Sequence, residues 1–510
     1  MKTVQFAQSV TFFSIYNEWL KFVRQSGKLT KLWELKKLSM NILYIGAGFV
    51  GACSAAVSAN SGHRTLVFDI DKNKIDRLGS GDRDTVESCL FEDGLGDLLV
   101  RHKELIRFTT DYKEVEEFLD TCDAVFMCLP TPEIGETGES DLSFYVKAAE
   151  QLAAALGKRN NGTQEKYLVI VNKSTVPVNM VDRTQEILDA HGVENVGVVS
   201  NPEFLVEGKA IQGSLKPDRV VVGAYTEKDF LVMRAVYQRF YDSPSVEYIE
   251  VNPKEAAAGK LLANFALFNK LALCFDVIGR TCEAFTDVQF EAVRKILTTD
   301  PRIGNWGMYD SLYAGGSCFI KDARSLSHQL QTIGMDATLV SETYLANKRQ
   351  LETFIGRAKK DAGFDWAGKT VAILGVAFKR DTNDIRNSPA IDVVNFCMEQ
   401  GVRHIHLFDP AAKPMMQNLF PENQQLRYVD SEVAALVGAD VVVVATDWPQ
   451  FRGLADVFLA GKAHPLLMDG RRMLQHRYGD LQKSGFSIIA VGSPFLKAAK
   501  AAKASEAFEA

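Results

Sequence analysis

A cysteine that follows two glycines and precedes an aspartate is the part of the sequence best suited to chemistry. The segment GGSCFIKD spans residues 315–322. Its glycines let a backbone approach a bound molecule closely, and a cysteine that opens a helix gains thiolate character. Asp322 follows Cys318 by four residues, so on a helix both share one face, where the carboxylate could move a proton or orient water. The competing interpretation is a glycine turn followed by a buried cysteine.

A glycine-rich segment near the start, GAGFVG (46–51), has the spacing of a dinucleotide-binding loop. Gly46 permits a tight turn, Gly48 leaves room for a pyrophosphate, and Gly51 allows close helix–strand packing. Asp69 ends the next predicted strand, where a carboxylate accepts both ribose hydroxyls and repels a 2′-phosphate. This pattern favours NAD over NADP. Asp71 is a rival for the ribose role, and a glycine turn without a ligand is the competing interpretation.

Two threonines follow predicted strands in short motifs. Thr131 belongs to CLPTP and Thr175 to NKSTVP. Ligands of open α/β sheets bind at the carboxyl ends of parallel strands, so both threonines are candidates for such a site. Each could instead cap a turn.

These residues need a scaffold, and strands alternate with helices along most of the chain. That alternation indicates parallel sheets with right-handed crossovers. Residues 254–300 have helical periodicity and almost no strand signal, and a second alternating region begins near Lys369. The predicted fold is therefore α/β: two Rossmann-like, doubly wound parallel-sheet domains joined by a central helical region. The predicted strands are NILYIG, RTLVFDID, DAVFMCLP, YLVIVNKS and VGVVSNPE, then TVAILGVAF, HIHLFDP, ADVVVVATDW, HPLLMDG and FSIIAVG.

Composition excludes several classes of protein. The 510 residues include 46% hydrophobic and 24% charged residues, which is ordinary for a soluble globular protein. A net charge of −6 gives no reason to expect nucleic acid or an anionic membrane as partner. The eight cysteines form no CxxC pair, so we expect neither a metal site nor a disulfide framework, and the cytoplasm is the predicted compartment. No apolar run approaches the roughly 18 residues needed to cross a membrane.

Eight motifs, in order and with similar spacing, resemble the UDP-glucose/GDP-mannose dehydrogenase family from Met40 to about residue 490. They are GAGFVG, CLPTP, KSTVP, NPEFLVEG, GKLLAN, RIG followed by GGSCFIKD, GVAFKRDTNDIRNSPA and DGRR. The resemblance implies oxidation of a nucleotide sugar's alcohol to a carboxylate, with two NAD⁺ consumed and a thioester on a cysteine.

The resemblance also implies catalytic roles. Cys318 is the implied nucleophile, Lys260 and Asn264 the implied oxyanion pair, and Asp322 the residue that positions or activates water. Because Lys260 and Asn264 are four residues apart, a helix would present both on one face. Glu203 is implied to act with Thr175 and a water as an acid/base relay. The full set of predicted cofactor contacts is Gly46, Gly48, Phe49, Val50, Gly51, Asp69, Lys74, Thr131, Thr175, Glu207 and Arg386.

The same resemblance implies a substrate site and a dimer. The predicted substrate contacts are Glu203, Phe204, Leu205, Lys260, Asn264, Arg302, Gly315, Lys379 and Arg471. In the family the arginine of RIG reaches the neighbouring subunit's site, so we expect a homodimer or a higher homo-oligomer. Taken alone, Lys379 and Arg302 would be interpreted as surface charges.

We predict five segments on this basis. They are an N-terminal extension (1–39), an NAD-binding domain (40–250), a central helical and dimerisation region with the catalytic loop (251–360), a nucleotide-sugar-binding domain (367–490) and a low-complexity tail (491–510). The extension is predicted either to form an amphipathic surface helix or to reflect a mis-assigned start.

The sequence departs from the family at three places: in the loop before Cys318, just after Cys318, and at the end of the helix that contains GKLLAN. Tyr313-Ala314 replaces a glycine–aromatic pair, Ile320 replaces a common proline, and Phe275-Asp276 replaces Asn-Glu. UDP-glucose is the first choice of substrate, with UDP-N-acetylhexosamines and GDP-mannose open. The alternatives in function are a single-step hydroxyacid dehydrogenase and a non-catalytic nucleotide-sugar sensor.

Overall fold

The computed structural model describes residues 39–159, 166–241, 243–309 and 311–499. The helix predicted in the N-terminal extension and the end of the low-complexity tail lie outside the described residues. The chain divides into two compact units. One comprises the described residues up to Pro130 together with Ser143–Ala257, and the other comprises Thr131–Leu142 and the described residues from Ala258 onward.

The first unit is built on an eight-stranded sheet. Its strand order is β3-β2-β1-β4-β5-β6-β7-β8. Side chains of the central strands are buried on both faces, as in the run LVIVN of β5, which is typical of a parallel sheet covered by helices. The strands are β1 (Asn41–Ile45), β2 (Arg64–Phe68), β3 (Ile106–Thr109), β4 (Ala124–Met127), β5 (Leu168–Asn172), β6 (Val196–Ser200), β7 (Arg219–Gly223) and β8 (Glu247–Val251).

Ten helices of this unit connect or flank the strands in the described residues. Several begin at an aspartate or threonine whose side chain accepts a backbone N–H, as Asp71 does from Lys74 at 3.0 Å. The helices are Phe49–Asn60, Lys72–Leu78, Arg83–Leu90, Leu95–Arg101, Tyr112–Leu119, Ser143–Arg159, Met180–Ala190, Ala210–Leu215, Glu227–Val236 and Gln238–Tyr241.

The second unit contains a six-stranded parallel sheet with the order β11-β10-β9-β12-β13-β14. This order repeats that of β3-β2-β1-β4-β5-β6, so both sheets are doubly wound in the same way. The strands are β9 (Thr370–Leu374), β10 (His404–Phe408), β11 (Leu426–Tyr428), β12 (Val441–Val444), β13 (Leu466–Asp469) and β14 (Ile488–Ala490).

The central region is helical, as predicted. It contains Pro253–Leu273, a π-helical turn at Cys274–Gly279, Arg280–Ala284, Phe290–Thr298, Phe319–Thr332 and Thr338–Ala362. Around the second sheet lie the helices Pro389–Glu399, Lys413–Leu419, Glu432–Ala435, Leu454–Ala460 and Tyr478–Lys483, with 3₁₀ turns at Pro449–Gly453 and Gln475–Arg477.

The structure confirms the predicted fold class and the ten predicted strands, with one difference in direction. The first sheet is not wholly parallel, because β6 and β7 pair antiparallel at Ser200 and Gly223. Strands β3, β7, β8 and β11 were not predicted. The runs IRFT, EYIEV and LRY are short and mix polar with apolar residues, so each gives only a weak strand signal.

The helical run Pro253–Ala284 is long and apolar enough to cross a membrane when judged by length and composition alone. Lys260 and Asn264, both buried, interrupt its apolar sequence. The core helix of a water-soluble protein meets the same criterion, so this finding is weak as a sign of a membrane segment.

Candidate active site

The glycine loop of the first unit follows β1 and leads into the helix Phe49–Asn60. Gly46 has a φ of +101°, and a Cβ there would overlap the carbonyl oxygen of Cys128. A Cβ on Gly51 would overlap the carbonyl oxygen of Gly46, whereas at Gly48 it would meet nothing within 4 Å. Two glycines are thus required by packing, and Gly48 faces open space in front of a helix N-terminus, where a pyrophosphate fits.

Asp69 connects the end of β2 to this loop. Its carboxylate accepts the backbone N–H of Ala47 at 2.7 Å and lies 3.3 Å from Nζ of Lys74. The rival Asp71 instead caps the helix Lys72–Leu78, where it accepts the N–H of Lys74. The geometry therefore favours Asp69 as the ribose ligand. Phe49 and Val50 are the first residues of the helix that opens at the loop, and both are half-buried.

The second sheet has a carboxylate at the place that corresponds to Asp69. Asp409 follows β10 as Asp69 follows β2, but its buried carboxylate accepts N–H groups of Val376 at 2.7 Å and Ala377 at 3.0 Å, and the indole N–H of Trp448 at 3.1 Å. Two further backbone N–H groups, at 2.8 Å, complete the shell. Five protein donors thus engage the Asp409 carboxylate, which fixes the turn between β9 and its following loop.

The segment NPEFLVEG follows β6. Glu203 accepts the N–H of Phe204 at 2.8 Å and forms an ion pair with Lys173 at 3.0 Å. The Phe204 ring lies 4.0 Å from the guanidinium of Arg219. Leu205 packs partly buried against the core of the unit. Glu207 and, after β5, Thr175 are half-buried, and Thr131, after β4, is buried.

A residue without a role in the sequence analysis anchors this segment. Glu92 is buried, and its carboxylate accepts the N–H of Gly208 at 2.6 Å and of Ala210 at 3.0 Å. These bonds tie the end of NPEFLVEG to the FEDG turn. In the sequence, Glu92 is distinguished only by its position before a turn. This position does not indicate that its side chain is buried.

In the second unit, Cys318 lies at the N-terminus of the helix Phe319–Thr332. It is exposed, whereas the other seven cysteines are buried or half-buried. Burial raises the pKa of the Cys122, Cys128 and Cys397 thiols to about 12, which keeps them protonated. Cys318 is therefore the cysteine best placed to react, since a helix N-terminus favours thiolate.

Asp322 lies in the first turn of the same helix and is 1% exposed. One carboxylate oxygen accepts from Asn264 Nδ2 at 2.6 Å, and the other pairs with Nζ of Lys321 at 2.6 Å. Lys260 lies one helical turn before Asn264, and both side chains are buried. The structure thus joins Asn264 and Asp322, two of the predicted catalytic residues, and adds Lys321, which was not among the predicted site residues.

Protein packing explains the two glycines before Cys318. A Cβ on Gly315 would overlap the carbonyl oxygen of Asn387, and one on Gly316, where φ is +85°, would lie 2.8 Å from the Phe378 ring. The sequence pattern predicts that these glycines let the backbone approach a substrate. The contacts give a second reason for glycine, because both residues face the loop after β9.

That loop carries two predicted ligands. Arg386 binds the buried Asp384 through Nη2 at 2.6 Å, and its carbonyl accepts the N–H of Gly316 at 3.0 Å. Nζ of Lys379 lies 5.6 Å from the Phe378 ring. The loop after β9 is therefore joined to the segment that precedes Cys318.

Arg471 is held by other residues of this unit. Its guanidinium donates to Asp447 at 2.5 Å and to the hydroxyl of Ser311. Burial opposes ionisation of Asp447, but Arg471 outweighs it and lowers the pKa of that carboxyl. Arg302, by contrast, is 88% exposed and binds Asp300 at 2.6 Å.

Three family descriptions match successive parts of the chain. Residues 40–241 match the NAD binding domain of the UDP-glucose/GDP-mannose dehydrogenase family, 254–349 its central domain and 372–476 its UDP binding domain. These matches confirm the resemblance drawn from the motifs and confirm NAD as the cofactor.

Individual relatives agree. The chain is 32% identical over 464 residues to UDP-glucose 6-dehydrogenase of Pseudomonas aeruginosa, and the alignment covers 89% of this chain and 98% of the relative. It is 33% identical over 448 residues to UDP-glucose 6-dehydrogenase AglM of Haloferax volcanii, with 86% and 98% covered. The structure of a UDP-glucose dehydrogenase from Pyrobaculum islandicum superposes with a TM-score of 0.77 at 26% identity, over 86% of this chain and 96% of that one. The chain belongs to the UDP-glucose/GDP-mannose dehydrogenase family, whose members are NAD-dependent nucleotide-sugar dehydrogenases.

Proposed function

We propose that this enzyme oxidises the C6 alcohol of a nucleotide sugar, UDP-glucose in the first place, to the uronic acid through a thioester on Cys318. One observation carries the proposal. The exposed Cys318 opens a helix whose first turn holds a buried carboxylate, Asp322, fixed by Asn264 and Lys321. A thiol nucleophile beside an anchored carboxylate is suited to form a thioester and then hydrolyse it.

The first oxidation requires a proton acceptor for the C6 hydroxyl. Glu203, with Thr175 and a water, takes this proton in the proposed scheme. When bound, NAD⁺ accepts the hydride in each of the two oxidations. Gly46, Gly48 and Asp69 would hold it at the loop after β1, where Gly48 leaves open space.

The aldehyde is then captured before it escapes. The Cys318 thiolate adds to the aldehyde carbon, a C–S bond forms, and the carbonyl oxygen becomes an oxyanion that takes up a proton. Lys260 and Asn264 would stabilise this oxyanion by charge and by an N–H donor. In the second oxidation the hemithioacetal gives up its hydroxyl proton and the hydride on C6, which is a proton with two electrons, and becomes a thioester.

Hydrolysis completes the sequence. Water attacks the thioester carbon, the C–S bond breaks, and the products are the carboxylate and the free thiol. Asp322 orients this water and takes its proton. Its anchors leave little freedom to the carboxylate, since Asn264 and Lys321 each hold one oxygen at 2.6 Å.

The second sheet would bind the nucleotide through cations near the loop after β9. Arg471, held by Asp447, and Lys379 are suited to a diphosphate, and Gly315, Phe204 and Leu205 are further proposed contacts. UDP-glucose is favoured because the relatives named above carry that specificity in their names. UDP-N-acetylhexosamine and GDP-mannose are the alternatives, given the altered loop at Tyr313.

Counting NADH against sugar tests the reaction. With limiting UDP-glucose we expect two NADH per sugar and a uronic acid as product, with a kcat/KM at least ~10-fold above that for GDP-mannose or a UDP-N-acetylhexosamine. One NADH per sugar with an aldehyde or ketone product would support the single-step hydroxyacid dehydrogenase instead. Binding without NADH formation for every sugar in the panel would support the sensor.

We also propose a homodimer or higher homo-oligomer formed through the central helices. Leu262 and Leu273 are 52% and 44% exposed, and their spacing of about three helical turns places both on one face of the run Pro253–Ala284. Apolar side chains exposed on one face of a helix are available for contact with another subunit. Arg302 would then complete the site of the neighbouring subunit, which agrees with its exposed position.

Mixed dimers test this contribution of Arg302. The variants Cys318→Ser and Arg302→Ala are each expected to be inactive alone. When the two are co-expressed, about a quarter of the wild-type activity should return, because half of the dimers then pair an intact Cys318 with an intact Arg302 from the neighbour. No recovery, although purification through a different affinity tag on each variant yields mixed dimers, would place Arg302 in its own chain's site or outside any site.

The remaining predictions belong to the same proposal. The five segments 1–39, 40–250, 251–360, 367–490 and 491–510 remain a proposed division of the chain. We propose a cytoplasmic location, which is supported by eight cysteines that form no disulfide in the described residues.

A further inference from the structure

A buried lysine lies against the proposed base of the first unit. Lys173 follows β5, and its side chain is 5% exposed. Its Nζ lies 3.0 Å from Oε2 of Glu203, 3.0 Å from Oδ1 of Asn201 and 3.3 Å from the hydroxyl of Tyr237. The three partners match the three N–H donors of an ammonium group.

The other two partners are themselves fixed. The Tyr237 hydroxyl donates to Asn201 Oδ1 at 2.5 Å, and Asn201 Nδ2 donates to the carbonyl of Val221 at 2.7 Å. The backbone N–H of Asn201 bonds the carbonyl of Asn172 at 2.9 Å, which joins the ends of β5 and β6. These bonds aim the ammonium of Lys173 at Glu203.

The charges of this cluster are well defined. Burial disfavours the ammonium, but Glu203 and Tyr237 outweigh it and raise the pKa of Lys173 above its ordinary value. The other titratable groups near Glu203 are Tyr237, Tyr44, Cys53 and Cys128, and burial raises the pKa of each, which keeps them neutral at pH 7. Arg219 stacks on the neighbouring Phe204 ring.

We propose that Lys173 is a positioning residue that keeps Glu203 ionised and fixes the direction of its carboxylate for proton transfer. The inference rests on the proposed acid/base role of Glu203. The Oε1 atom accepts from Phe204 and Oε2 from Lys173, so both oxygens of the carboxylate are oriented. Stability alone is a weak reason for such a pair, because desolvating two charges offsets most of their attraction.

The test compares Lys173→Met, Glu203→Gln and the double variant, with Lys158→Met as a control. Lys158 is an exposed lysine paired with Glu116 at 3.3 Å, so its loss changes the net charge equally without touching the cluster. The measurements are kcat, KM and their pH profiles, with Tm and NAD⁺ binding to follow folding. In the double variant both side chains are uncharged, so it avoids the loss of stability that an unpaired buried carboxylate causes.

We expect Lys173→Met to move the acid limb of the profile up by about one pH unit or more, since the carboxylate loses its cation. On the plateau above that limb kcat should fall by roughly 10- to 100-fold, since the carboxylate also loses its fixed direction. Raising the pH should recover the part of the loss that comes from protonation of Glu203, and the loss on the plateau should remain. In the Glu203→Gln background the same substitution should change kcat by less than about 3-fold, because the amide does not titrate.

Other outcomes distinguish the positioning role of Lys173 from the proposed acid/base role of Glu203. Full activity of Glu203→Gln would contradict the role of Glu203, whatever Lys173→Met does. An impaired Glu203→Gln beside a Lys173→Met variant with an unmoved acid limb would overturn the positioning role. Additive losses in the double variant, with a matching fall in Tm, would make Lys173 a purely structural residue.

Discussion

Replacing Cys318 with serine is expected to lower the rate of NADH formation by at least ~10³-fold, the scale on which loss of a catalytic nucleophile acts. Serine is close in size to cysteine, but its hydroxyl is a far weaker nucleophile near pH 7 because it is not ionised. Since Cys318 is exposed at a helix N-terminus, we expect the fold and nucleotide-sugar binding to persist. Calorimetric binding of UDP-glucose and steady-state NADH formation measure the two properties separately.

The matched control for this variant is Cys89→Ser. Cys89 is a half-buried cysteine whose thiol pKa is raised by burial, so it offers no reactive thiolate. Its substitution should leave turnover unchanged. Any residual NADH from Cys318→Ser should stop near one per sugar, because no thiol remains to capture the aldehyde. Undiminished NADH production by Cys318→Ser would remove Cys318 from the mechanism.

Much of the scaffold could be predicted from the sequence because its signals are local. Runs of β-branched residues such as VVVV and LVIVN are buried on both faces and predict central strands. The conformation of Gly46, with φ at +101°, is one that glycine adopts without strain. Alternation of strands with helices then fixes most of the topology.

The structural features that the sequence did not reveal depend on contacts between residues far apart in the chain. The direction of β7 follows from pairing with β6, and no local pattern records a partner strand. Charged residues are ordinarily exposed, so the burial of Glu92 and Lys173 could not be expected from their type. The fixed Glu203 and the packed Gly315–Gly316 turn likewise require residues far away in the chain.

Some contacts of the candidate site could likewise be predicted from local spacing, whereas others could not. Cys318 and Asp322 are four residues apart on one helix, so their association follows from helical geometry. The bond from Asn264 to Asp322 spans two helices, and the motif resemblance, not the spacing, brought these residues together in the sequence analysis. Lys321 was overlooked because neighbouring residues on a helix lie about 100° apart, and their side chains ordinarily do not face each other.

Asp322→Asn is the second substitution with a large expected effect, and it should stop the reaction at the thioester. The amide keeps the size of the side chain but cannot take a proton from water, so we expect kcat to fall by roughly 10²- to 10⁴-fold. Both oxidations precede hydrolysis in the proposed order. Mixing the variant with UDP-glucose and NAD⁺ should therefore release a burst of about two NADH per subunit, followed by a halt.

The trapped intermediate separates this interpretation from loss of structure. Mass spectrometry of the halted variant should find the glycosyl acyl group on Cys318, and hydroxylamine should release it. Asp276→Asn is the control, since Asp276 also lies in the central region and pairs with Arg349 at 2.9 Å, outside the Asp322 cluster; it should turn over steadily without a burst. A slow Asp322→Asn variant with neither burst nor adduct would mean that Asp322 acts before the thioester forms, and the water-activating role would then be wrong.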